Sequence, residues 1–196
     1  MPYAREASGK ITQAHAYVLS GLIIAGLGIY HWFYEGWREN IIFAASITAA
    51  LIAALTFATR RLLMSVATVA AIVAMIVVAA DVKRRYIEMV LHAYDVVFYL
   101  TSWATIRFLW VDHRAYLIAI AVSFILTALL ARTLYNWDST RISRILSGGL
   151  VVTFSCLALW ASHAKGERRN TLFYWDNLYL SSFYASWSET FETLMK

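Results

Sequence analysis

Five stretches of this chain are too apolar to sit in water: residues 16–33, 41–58, 62–80, 116–131 and 145–161 carry no Asp, Glu, Lys or Arg. Each is close to the ~20 residues that take an α-helix across a ~30 Å hydrocarbon core. The charges collect between them, at Glu35, Arg38 and Glu39, at Arg60 and Arg61, over residues 81–114, and from Arg132 to Arg144. With 61% hydrophobic and only 15% charged residues, the chain has too little polar surface for a soluble domain. The expected fold is an all-α integral membrane domain of five transmembrane helices over residues 1–163, followed by a juxtamembrane linker over 164–196.

The first span is not a cleaved leader, because its apolar run is too long and no small-x-small site precedes Trp32. The single cysteine, Cys156, excludes an internal disulfide and any cysteine-based metal cluster. The formal charge of +5 points to anionic headgroups beside the helix ends rather than to nucleic acid, for which there is no motif. Small residues recur every four positions at Ala45, Ala49 and Ala53, at Ala67 and Ala71, and at Gly21 and Ala25. Such ridges let backbones approach closely in lipid. Arg60–Arg61 is so short a connection that spans two and three must form an antiparallel hairpin.

Orientation is open to charge counting. With the N-terminus inside, the inner segments hold seven cations and the outer ones nine, which mildly favours the reverse.

The unusual segment lies between spans three and four. From Glu88 the polar residues fall at His92, Asp95, Tyr99 and Ser102, steps of four, three, four and three, which draw one thin stripe along a helix. The expectation is one amphipathic helix over about 86–110 at the membrane interface, or a shallow re-entrant hairpin broken at Thr101–Ser102. Glu88, His92 and Asp95 have the spacing to face one metal ion, but a single helix makes an incomplete site. An ion pair from Asp95 to an arginine such as Arg107 is the plainer alternative. In the tail, Ser186-Trp-Ser-Glu189 fits a capping box and predicts a helix starting near Trp187. The aromatic stretch before it predicts an interfacial or partner-contacting segment through Trp175, Tyr179, Phe183, Tyr184 and Trp187. His31 and His163 offer a paired-imidazole haem reading, weakened by their interfacial neighbours.

The insert "VKRRYIEMVLHAYDVVFYLTS" after a third span, and the tail "YWDNLYLSSFYASWSETFETLMK", resemble the membrane domain of lipoteichoic-acid-synthase-like phosphoglycerol and phosphoethanolamine transferases, of the sulfatase/alkaline phosphatase superfamily. The resemblance rests on Lys83–Arg85 leading into a short helix with Asp95 and Tyr99, and on a linker leaving span five. It implies a bacterial cytoplasmic membrane, an inside N-terminus, an outside C-terminus, and phospholipid as the partner. Relatives place their metal-activated threonine in a soluble domain, so the resemblance carries no catalytic residue, metal or cofactor onto these 196 residues. It implies instead a lipid-headgroup site at Lys83, Arg84, Arg85, His92, Asp95 and Arg107. The competing expectation is a non-enzymatic integral subunit that docks on other proteins of a membrane complex.

Overall fold

The computed structural model describes residues 11–87, 91–112, 114–164 and 179–195. Five helices are long and apolar enough to cross a membrane. They are α1 (Gln13–Tyr34), α2 (Arg38–Thr59), α3 (Leu62–Ile87), α6 (Arg114–Trp137) and α7 (Arg144–Ala164). Between α3 and α6 lie α4 (Ala93–Thr101) and α5 (Trp103–Asp112), and α8 (Tyr179–Leu194) closes the chain. The protein is an all-α membrane fold, and no strand occurs among the described residues.

The helices run up and down. The turns at 60–61 and 138–143 share one end, here the Asp138 end, while α4, α5 and α8 gather at the other, the α8 end. Helices α2 and α3 form the centre. Helix α7 packs along α2, α1 lies against α3 and α2, and α6 rests on the far side of α3. No described residue of α6 is buried, as suits a span that meets lipid on most of its circumference. The α2–α7 pair packs closely near the Asp138 end, where a Cβ added at Gly148 would lie 3.5 Å from the Phe57 ring. Of the small-residue ridge on α2, Ala53 is buried while Ala45 and Ala49 are half-buried. Gly21 and Ala25 are exposed instead, and a Cβ at Gly21 would meet nothing within 4 Å, so this pair packs no helix.

The α2–α3 hairpin is as tight as its sequence requires. Arg60 ends α2 in the left-handed region at φ 62°, its N–H donating to Thr56 O at 2.6 Å. Gly36 takes the same role between α1 and α2 at φ 68°, where a side chain would be strained. The first N–H groups of α3 need acceptors that the chain before them does not provide. The α6–α7 loop supplies these. Thr140 Oγ1 accepts from Leu62 N at 2.8 Å, and Asp138 Oδ2 accepts from Met64 N at 3.1 Å. Asp138 Oδ1 meanwhile holds its own loop through Thr140 N and Oγ1, at 2.8 and 2.7 Å. Arg61 donates to the Asp138 carbonyl, which locks the loop against the hairpin.

The interrupted segment is not one helix. Helix α3 runs on to Ile87, His92 is extended at φ −112° and ψ 157°, and Ser102 is extended again between α4 and α5. Two pieces of 9 and 10 residues are each too short to cross a membrane. Of the stripe at four-and-three spacing, His92 and Ser102 flank α4, Asp95 and Tyr99 lie within it, and Glu88 lies outside the described residues. The break at Thr101–Ser102 has a local cause: Thr101 Oγ1 turns back to Val97 O at 2.8 Å, and the Ser102 N–H closes the last turn on Phe98 O.

Helix α8 is part of the same packed body as the spans. Leu180 is fully buried in a cluster with Ala44 of α2 and Val69 and Val73 of α3. Phe183 joins Ala80 and Leu91, and Tyr184 touches both clusters as well as the one formed by Phe43, Ala158 and Ala161.

Candidate functional site

The α8 end is assembled by side chains that cap helices remote in sequence. Helix α8 needs acceptors for its first N–H groups, and Glu35, just past the end of α1, provides them. Its Oε1 accepts from Leu180 N at 3.3 Å and its Oε2 from Ser181 N at 3.2 Å. Glu35 is completely buried, and the buried His31 places Nδ1 3.8 Å from its Oε1. A carboxylate aimed at a helix N-terminus gains from both charge-assisted hydrogen bonds and the helix dipole. A polar tail helix is thereby held in a largely apolar bundle.

The capping box expected at Ser186–Glu189 does not exist, because residue 186 lies within α8. Ser186 Oγ donates to Phe183 O at 2.8 Å and accepts from Ala93 N at 2.7 Å, so it caps α4 rather than its own helix. Asp95 completes that cap: its Oδ2 accepts from His92 N at 2.7 Å and from Lys83 Nζ at 2.5 Å. Helices α1, α8, α4 and α3 are thus joined in a chain of polar contacts, most of them buried.

The structure gathers the residues expected at a headgroup site at this one end but uses them differently. Lys83 and Asp95 form a nearly buried ion pair, 9% and 4% exposed, so Asp95 takes a lysine as partner rather than Arg107. His92 is buried and stacks on Tyr94, with ring centroids 5.4 Å apart. Arg84 is half-buried, Arg107 is exposed on α5, and Arg85 pairs with Asp81 one turn back at 2.8 Å. Of the tail aromatics, Phe183 and Tyr184 belong to the core instead of resting on headgroups. Trp187 packs edge-on against Phe183, with centroids 6.1 Å apart. Tyr179 is the first residue of α8, and Trp175 lies outside the described residues. Burial raises the phenol pKa of Tyr184 above its ordinary value, and its hydroxyl lies 3.4 Å from Thr48 Oγ1.

Beside this scaffold, α2, α7 and α8 enclose a cleft of about 630 Å³. Its walls are apolar except at Ser155, with Ile47, Ala50 and Ala54 on α2 facing Val151, Ala158 and Leu159 on α7. Its upper rim is polar, carrying Ser162 of α7, Ser181, Ser182, Ser186 and Ser188 of α8, and the His92 imidazole at the start of α4. Leu51 and Leu159 line it and are also exposed, so it opens sideways toward lipid. Sequence reading missed this cleft because its two walls, each spaced at i, i+4, i+7, i+8, look like ordinary span faces. It also missed Glu35, which reads as one of several gap charges until α8 is seen above it.

Among the described residues, no group of three His, Cys, Asp or Glu side chains is placed to hold a metal; Glu88 of the proposed triplet lies outside them. His31 faces Glu35, while His163 is exposed in the last turn of α7. Compared with protein-family models, with curated proteins and with solved structures, the chain matches none.

Proposed function

We propose that the chain is the membrane anchor and lipid-access domain of a sulfatase-like phosphoglycerol or phosphoethanolamine transferase. It would sit in a bacterial cytoplasmic membrane with its N-terminus inside and α8 on the periplasmic or extracellular face. The observation that carries the reading is the docking of α8: a tail helix capped by Glu35, with Leu180 sunk between α2 and α3, lies beside the cationic end of α3. Such an arrangement holds whatever chemistry works at this face in a fixed position over the lipid.

In this reading the nucleophile and its metal are supplied from outside these residues. The nucleophile attacks phosphorus, diacylglycerol departs, and the headgroup passes to an acceptor glycan or lipid. Arg84, Arg85 and Arg107 contribute positive charge for the phosphodiester at the interface. Lys83 is fixed by Asp95, which acts as a brace rather than a base. Disrupting the gene should remove phosphoglycerol- or phosphoethanolamine-modified material from the cell envelope, read by phosphorus NMR and mass spectrometry of extracts. The wild-type gene should restore it, and an Arg84→Ala/Arg85→Ala variant should restore it poorly. Unchanged envelope material in the disrupted strain would sink the transferase reading.

The second reading is a non-enzymatic subunit of a membrane complex, favoured by α6, which packs on one side only. Co-purification of one stoichiometric membrane partner, lost on bulky substitution along α6, would support it.

A further inference from the structure

We propose that the cleft between α2, α7 and α8 holds one acyl chain and the adjoining ester oxygens of a phospholipid from the membrane leaflet at the α8 end. This deepens the lipid-handling role proposed above by naming which part of the lipid is held and where. Three observations converge on it.

The first is depth. From Phe43 to Ala54 the α2 wall rises ~16 Å at ~1.5 Å per residue, about half of a ~30 Å hydrocarbon core. The cleft therefore has the reach of one leaflet, and the Gly148–Phe57 packing lies beyond its lower end. The second is the order of its chemistry. Apart from Ser155, apolar walls lie at the depth of acyl chains, and the serine-rich rim lies at the level where a glycerolipid changes from hydrocarbon to ester.

The third is Ser181, which is 1% exposed and lines the cleft, yet whose Oγ makes no hydrogen bond to any described residue. Its N–H is already committed to Glu35, so the rotamer freedom of the hydroxyl remains for a guest. A buried hydroxyl without a partner is costly, and an ester carbonyl in the cleft would accept its hydrogen. Among the described residues no Lys or Arg lines the cleft, whose rim carries the His92 imidazole. Retention should thus depend on the acyl and ester region and be indifferent to headgroup charge, which is left to the cations around Arg84 and Arg85.

The test uses the full chain in nanodiscs containing phosphatidylglycerol with a photoactivatable diazirine midway along one acyl chain. Crosslinks should concentrate in residues 47–54 and 151–159. They should fall at least fivefold in Ala54→Phe, whose side chain occupies the exposed wall of the cleft without entering the core. They should be unchanged in Ala119→Phe on the lipid-facing surface of α6. Phosphatidylethanolamine carrying the same label should behave alike. In delipidated detergent solution, Ser181→Ala should raise Tm, and added phospholipid should stabilise it less than the wild type. Labelling spread evenly over α1, α6 and the cleft, or undiminished in Ala54→Phe, would overturn the proposal. So would a lower Tm in delipidated Ser181→Ala, which would make the hydroxyl a structural donor. Headgroup transfer is read separately in cells: a strain with normal transfer but no cleft labelling sinks only this site, and the converse sinks only the transferase.

Discussion

Replacing Glu35 tests the assembly of the α8 end directly. In Glu35→Ala the N–H groups of Leu180 and Ser181 lose their acceptors inside a buried site, and each orphaned donor costs ~1–3 kcal/mol. The favourable interaction of the carboxylate with the helix dipole, ~0.3–1 kcal/mol and more when buried, goes with them. These contributions overlap because they describe one contact, so the expected loss is about 3 kcal/mol of α8 docking energy. In Glu35→Gln one amide oxygen still accepts while the NH₂ faces the second donor, and the loss should be ~1–2 kcal/mol. Amide hydrogen exchange by mass spectrometry in nanodiscs reads this as local opening. At ~1.4 kcal/mol per tenfold, peptides from 179–194 should exchange on the order of 100-fold faster in Glu35→Ala and about tenfold faster in Glu35→Gln. The core of α3 should change far less. Leu180→Ala removes the apolar anchor of the same helix and serves as the positive control, with ~2–5 kcal/mol expected. If α8 exchanged at wild-type rates in Glu35→Ala but faster in Leu180→Ala, the carboxylate would not be what holds the helix start.

Three further outcomes follow from the same geometry. Asp138→Ala should lower thermal stability by ~2–4 kcal/mol, because it uncaps α3 at Met64 and releases the Thr140 loop together; a shift within error in detergent unfolding would contradict that. Asp95→Ala should cost ~3–5 kcal/mol by removing the carboxylate that neutralises Lys83 in a nearly buried site and accepts from His92 N, and Lys83→Met/Asp95→Asn should recover much of it, measured as a double-mutant cycle. The raised pKa of Tyr184 means that its neutral form is favoured by folding, so its contribution is complete below the unfolded value of 10.0 and is lost as pH rises beyond it. Tyr184→Phe should therefore show a shallower loss of stability above pH 10 than the wild type, and identical alkaline profiles would refute the assignment.

The sequence alone determined the number of the spans and, to within three residues, where each begins, since hydrocarbon thickness and the cost of buried charge leave no other placement for five such apolar runs. It did not show that α3 runs on to Ile87 and α6 to Trp137. It also determined the tightness of the α2–α3 hairpin, because Arg60 and Arg61 leave no length for anything else. It could place Lys83, Asp95 and the tail at one end of the bundle, because two crossings, an even number, separate them. What only the tertiary structure decided is who partners whom. Glu35 capping α8, Ser186 capping α4, and Asp138 with Thr140 capping α3 are hydrogen bonds across 74 to 146 residues of chain. No local pattern encodes them, and the local signals mislead: Ser186–Glu189 spells a cap for a helix that already began at Tyr179, and the stripe from Glu88 to Ser102 spells one helix where His92 and Ser102 interrupt it. The reason is physical. Periodicity reports which faces are apolar, whereas in a membrane bundle every helix end must find polar partners wherever the fold brings them. Those partners, with the cleft they frame beside α2 and α7, exist only once the helices are packed.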